Sequence, residues 1–145
     1  MTPRLVLNNL FVSGHTRGLA PHRSLEILAE HSITRVVCVA PQPDQHLAQE
    51  MWTLGLCYDH IPLSDGKTIS PALVRSLARE LTLDLVTRRV LIHCNAGRNR
   101  APFVAALVMI YQGTSAIDAI THIRRLRPTA LANEHFVKFL MEEHE

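Results

Sequence analysis

The stretch VLIHCNAGRNRAPF, from Val90 to Phe103, is apolar at both ends and carries a thiol, a glycine and two arginines between them. Its first part completes RVLIHC, a short β-rich run of the kind that forms a buried strand. Its last part opens APFVAALVMIYQG, which is apolar on every side. A helix with no polar face belongs at the centre of a layered fold. The intervening residues therefore form a loop from a buried strand into a buried helix.

Working outward, SPALVRSLARELTLDLVTR reads as a helix that starts at Ser70-Pro71 and turns Leu73, Leu77, Leu81 and Leu85 to one face. Before it lie the strand CYDHIPL, the helix DQHLAQEMWTLG closed by Gly55, and the strand RVVCVA, which ends at Pro41. PHRSLEILAEH is a helix with Leu25, Leu28 and Ala29 at helical spacing, and RLVL and LFVSG are strands around the turn signal NN. Two helices close the chain, about 115–126 and 133–143. This alternation predicts an α/β fold: a single domain over residues 1–145, with a central, mostly parallel mixed sheet flanked by helices on both faces and joined by right-handed crossovers. Ligands of such sheets bind beyond the carboxyl ends of the strands. The ends after Cys38, Leu63 and His93 are the places to look.

The 145 residues are 47% hydrophobic and 19% charged, which fits a globular domain and not a disordered one. A net charge of +2 is too mild to imply nucleic-acid binding. Three cysteines without a CxxC pair fit neither a disulfide framework nor a zinc site, and suggest a reducing, cytoplasmic setting. Nine histidines occur without an HxH or HxxxH pair, so no metal and no cofactor is expected. The N-terminal segment has no secretory h-region, no apolar run approaches the roughly 18 residues of a membrane span, and MEEHE carries no lipidation cysteine, so no membrane anchor is expected. Nothing in the chain fixes its oligomeric state.

The loop itself carries the chemistry. The first amides of a helix lack intrahelical partners and bear partial positive charge. Gly97 lets the backbone curl so that several N–H groups face one concavity that suits a tetrahedral oxyanion. Arg100 adds a planar fork matched to phosphate oxygens. Cys94 stands at the floor of that nest, where the field that attracts phosphate also favours the nucleophilic thiolate. A phosphoester's leaving oxygen needs a proton, so a carboxyl group should face the thiolate. Asp65, in IPLSDGKTIS, lies in a loop at the same sheet edge, and the adjacent Gly66 suits a loop that closes. Asp44 suits a helix cap better, Asp59 sits within a strand and Asp84 on a helix.

These residues resemble those of the cysteine-dependent dual-specificity phosphatases of the protein tyrosine phosphatase superfamily, over about residues 5–140. HCNAGRNR resembles the family's His-Cys-x5-Arg loop, LSDG stands where its acid loop would be, and RLRP…NEHFVKFL resembles its closing helices. Arg100-Ala101-Pro102 resembles the regenerating-liver type in particular. The resemblance implies that Cys94 attacks phosphorus, that Arg100 and the amides of Asn95, Ala96, Gly97, Arg98, Asn99 and Arg100 bind the phosphoryl oxygens, and that Asp65 is the general acid. It implies a metal-independent phosphatase of phosphotyrosine, and also of phosphoserine or phosphothreonine, with a phosphorylated protein as substrate.

Two departures stand out. Most relatives carry Ser or Thr where Ala101 stands, and that hydroxyl helps the thiolate leave; its absence points to slow turnover or to a phosphate-binding pseudophosphatase. Arg98-Asn99 resembles loops of the RNA 5′-triphosphatase branch, and the extra cation resembles phosphoinositide phosphatases. A sulfurtransferase also uses a loop cysteine on such a sheet, but the Arg100 spacing and Asp65 weigh against it. Regenerating-liver phosphatases share a cysteine at the position of Cys38. This makes Cys38 a candidate redox partner for Cys94, with simple packing as the alternative.

Overall fold

The structure, a computed structural model, describes residues 1–15, 19–95 and 98–143. It opens with β1 (Arg4–Leu7) and β2 (Leu10–Ser13), an antiparallel pair turned at Asn9, whose φ of 70° is one that asparagine tolerates. The alternating units follow: α1 (Pro21–Glu30), β3 (Arg35–Cys38), α2 (Gln45–Thr53), β4 (Cys57–His60), α3 (Pro71–Asp84), β5 (Val90–His93) and α4 (Arg100–Tyr111). Two helices, α5 (Ala116–Leu126) and α6 (Glu134–Glu142), complete the chain. The sheet order is β1-β2-β5-β3-β4, and every pairing except β1 with β2 is parallel.

The period of two along each strand divides the core into two layers. Val37, Val39, Val90 and Ile92 pack with the buried residues of α3 to α6, while Phe11, Val36, Cys38 and Leu91 pack with those of α1 and α2. Helices therefore cover both faces, as the alternation predicts. In α4 every residue from Ala101 to Ile110 is buried, and Phe103 stacks on Phe136 of α6 with centroids 4.3 Å apart.

Local signals act where the sequence puts them. Asp44 caps α2, its Oδ1 accepting the Leu47 N–H at 3.1 Å, and Gly55 closes that helix with a φ of 74°. The apolar stripe of α3 departs from its expected line. Leu73 is 40% exposed, and the buried face is Val74, Leu77, Ala78, Leu81 and Leu85. Leu73 lies in the first turn of α3 and lines a surface cavity with Pro62 and Ile69, while its neighbour Val74 takes the buried place. CYDHIPL stops being regular strand at His60, yet Ile61 and Leu63 still donate their N–H groups to Cys38 and Val39 at 2.9 and 3.1 Å.

At the amino ends of the strands, the Arg35 guanidinium meets three carboxylates: Asp59 of β4 at 3.0 Å, and Glu80 and Asp84 of α3 at 2.9 and 3.0 Å. Its side chain is only 7% exposed. This cluster joins β3, β4 and α3 at the edge opposite Cys94.

Candidate active site

Cys94 follows the last residue of β5 directly and is 1% exposed. Both neighbouring strands brace its segment. Val39 donates to the His93 carbonyl at 2.9 Å, and His15, just beyond β2, donates to the Asn95 carbonyl at 3.0 Å. Arg100 opens α4, and its first turn closes through Phe103 N–H on the Asn99 carbonyl at 2.8 Å. Pro102 falls within that first turn, where a missing N–H costs nothing. Asn95, Asn99 and Arg100 are half-buried and Arg98 is exposed, whereas Ala96 and Gly97 lie outside the described residues.

Arg98 is exposed at the start of the turn into α4. Its side chain lines an open polar cavity of about 580 Å³ together with Arg4, His15, Asn95 and Arg127. Its carbonyl accepts the Leu131 N–H at 2.7 Å. Arg124 donates to the carbonyls of Ala130 and Leu131 at 3.3 and 2.9 Å. Arg124 thus ties the α5–α6 connection back to α5, while the Leu131 N–H ties that connection to Arg98.

Asp65 reaches the same edge from the loop between β4 and α3. Its Oδ2 accepts from Asn99 Nδ2 at 3.2 Å, and its Oδ1 from Asn133 Nδ2 at 3.0 Å. Asn133 also donates through its side chain to the Gly66 carbonyl at 3.3 Å and through its backbone to Asn99 Oδ1 at 3.0 Å. The fold therefore brings Asp65 to a residue of the Cys94 loop, as the topology predicts. The other acids are occupied elsewhere: Asp44 caps α2, and Asp59 and Asp84 hold Arg35. Asn133 escapes a reading of the sequence. Asparagine before EHFVKFL signals a helix cap, but nothing local says that its other atoms reach two distant loops.

His93 and Cys38 sit together behind the nucleophile. The β3–β5 register sets Cys38 opposite His93, one residue from Cys94, and the His93 ring packs near Tyr58 with centroids 6.2 Å apart. His93 is expected to orient the loop through hydrogen bonds, yet neither ring nitrogen finds a partner among the described residues. Burial holds it neutral, lowering its pKa to about 4. Cys38 is fully buried, its Sγ donates to the Gln42 carbonyl at 3.6 Å, and burial pushes its thiol up. No disulfide joins Cys38, Cys57 or Cys94. Among the described residues no group of three His, Cys, Asp or Glu side chains is placed to hold a metal, and no helix is long and apolar enough to cross a membrane.

A buried thiol directly after β5, an arginine at the first position of α4 and a carboxylate bonded to Asn99 between them suit binding of a tetrahedral anion with proton exchange beside it. Comparison with known proteins agrees. The sequence profile of the dual specificity phosphatase catalytic domain matches residues 18–145. Dual specificity protein phosphatase PHS1 of Arabidopsis thaliana is 26% identical over 146 residues, covering 96% of this chain. The chain corresponds to only 15% of the length of that relative. Among solved structures, Tk-PTP in its active form superposes with a TM-score of 0.78 at 21% identity, covering 98% of this chain and 97% of that one. Human DUSP28 superposes with a TM-score of 0.74 at 20% identity, covering 98% and 92%.

Proposed function

The chain belongs to the dual specificity phosphatase family, and on that premise we propose that it hydrolyses phosphotyrosine, with phosphoserine or phosphothreonine as further substrates, on a phosphorylated protein in the cytoplasm. The Cys94 thiolate attacks phosphorus, forming a P–S bond as the P–O bond to the leaving group breaks. Asp65 gives its proton to the leaving oxygen. Arg100 and the amides of residues 95–100 take up the charge on the three equatorial oxygens. In the second half Asp65 takes a proton from water, the water oxygen attacks phosphorus, and the P–S bond breaks to release inorganic phosphate and the thiolate. No step calls for a metal.

The observation that carries this reading is the pairing of Asp65 with Asn99 at 3.2 Å, five residues after Cys94. Two segments remote in sequence thereby offer a nucleophile and a proton donor to one space. The test is hydrolysis of p-nitrophenyl phosphate in the presence of a chelator. Wild type should be active, Cys94→Ser inactive, and Arg100→Lys and Asp65→Asn impaired by at least about a hundredfold. Full activity in Cys94→Ser would end the proposal.

A second reading rests on Ala101, which is wholly buried and has no hydroxyl: a domain that binds phosphoryl groups and releases them slowly. The Asp65 carboxyl favours the enzyme over this reading and over an RNA 5′-triphosphatase. The cavity lined by Arg98, Arg4 and Arg127 favours substrates with acidic groups beside the scissile phosphate, a preference that phosphoinositides also satisfy. For Cys38, its place at the carboxyl end of β3, beside the end of β5, supports a reversible disulfide with Cys94 formed when a peroxide takes two electrons from the thiol pair, which would protect the nucleophile.

A further inference from the structure

Asn133 caps α6, yet its backbone N–H and both bonds of its side-chain nitrogen reach away from the helix, to Asn99, Asp65 and Gly66. The identity of each amide atom is forced by its partners. Asn133 Oδ1 accepts the His135 N–H at 2.9 Å, so its nitrogen is the atom that faces Asp65. Asn99 Oδ1 accepts the Asn133 N–H at 3.0 Å, so its nitrogen is likewise the atom that faces Asp65. Both carboxylate oxygens thus meet amide donors, and those donors are tied to each other. The segment before Asn133 is fixed as well. Leu131 adopts a φ of 58°, uncommon for a branched side chain, and is held by the Arg98 carbonyl on one side and the Arg124 guanidinium on the other.

We infer that Asn133 is a positioning residue for the general acid: it docks the Asp65 loop on the Cys94 loop and aims the carboxyl group at the leaving oxygen. This rests on Asp65 being the acid. An amide suits the task because it donates to the carboxylate that proton transfer creates without introducing a charge that would compete with Arg100 for the phosphoryl group. The Nδ2 bond to the Gly66 carbonyl at 3.3 Å holds the loop backbone, so that closure and aim are coupled through one side chain.

The inference predicts a signature that a purely structural role lacks. An acid matters most when the leaving group is basic. Losing its aim should therefore slow substrates with phenol-like leaving groups, whose pKa is about 10, more than those with nitrophenol leaving groups. Two variants separate this from loss of the cap: Asn133→Ala removes the cap and the clamp, whereas Asn133→Ser keeps a capping oxygen but is too short to bridge to Asp65. We expect kcat/KM of Asn133→Ser to fall about tenfold or more on phenyl phosphate and phosphotyrosine. On p-nitrophenyl phosphate it should fall by less than about threefold, with Tm near that of wild type. Because kcat/KM reports steps up to the phosphocysteine, slow breakdown of that intermediate does not enter. Asp65→Asn is the reference and should show the same trend more steeply. A steep trend in Asp65→Asn with a flat one in Asn133→Ser, whether flat at full activity or at a uniform loss, overturns the inference alone. A flat trend in both overturns the assignment of the acid and the inference with it.

Discussion

Ala101 directly follows the arginine of the loop and is wholly buried within the first turn of α4. A hydroxyl there would offer the departing thiolate a hydrogen bond during breakdown of the phosphocysteine; a methyl group offers none. Ala101→Ser should raise kcat on p-nitrophenyl phosphate several-fold, and stopped-flow traces of wild type should show a burst of nitrophenol that the variant lacks. An unchanged or lower kcat in a folded variant would show that thiolate departure is not limiting. His93 makes a prediction of a different kind. Its folded-state pKa of about 4 lies below the ordinary 6.5 because burial disfavours the charged ring. As pH falls, the unfolded chain takes up the proton first. Its stabilising contribution is thus complete above about pH 6.5 and is lost progressively toward pH 4. Over that window wild type should lose on the order of 3 kcal/mol more than His93→Asn in urea unfolding. Parallel pH profiles would contradict the burial argument.

The places of Cys94 and Arg100 are legible in the sequence because strand, loop and helix all act within a short stretch, so the spacing together with its apolar flanks locates the loop. The Asp65 position follows from topology, which sends every βα loop to one edge. Asn133 is not legible, because its reach to Asp65 depends on how the α5–α6 connection folds back. That return is fixed by bonds such as Leu131 N–H to the Arg98 carbonyl at 2.7 Å, which no local pattern announces. Among whole elements, the periodic signals locate every helix and strand, and the misreadings fall at the ends. In α3 the stripe through Leu73 and Leu77 shares its turn with Val74 and Ala78, and only the packed layer decides that Val74 goes inside. The Arg35 cluster is equally hidden, since its three acids come from β4 and two turns of α3. Replacing the guanidinium with Met removes the shared partner of three carboxylates, of which Asp84 is the least exposed at 18%. Because Asp59 and Glu80 can return to water, the loss expected is about 2–3 kcal/mol in urea unfolding. Activity per folded molecule should be unchanged, because the cluster lies at the opposite edge. A midpoint equal to that of wild type would mean that the ion cluster contributes nothing net.

Across the whole molecule, polarity is segregated between the two edges of the sheet. Cys94, Arg100, Asp65 and the cavity lined by Arg4, Arg98 and Arg127 gather beyond the carboxyl ends of the strands. Several exposed apolar side chains, Trp52, Leu54, Leu83 and Val86, lie where α2 and α3 finish, at the amino ends, whereas Leu5 in β1 and Leu73 at the start of α3 lie elsewhere. An edge rich in cations suits an acidic phosphorylated substrate. The buried sheet and α4 make this separation possible, because they anchor both ends of the Cys94 loop in the core. All of this converges on one covalent event at Cys94. Wild-type protein mixed with a phosphotyrosine peptide and quenched in acid during steady turnover should yield a Cys94 peptide carrying a phosphoryl group, detected by mass spectrometry and absent from Cys94→Ser. Sustained turnover with the phosphoryl group on another residue, or undiminished turnover by Cys94→Ser, would contradict the account.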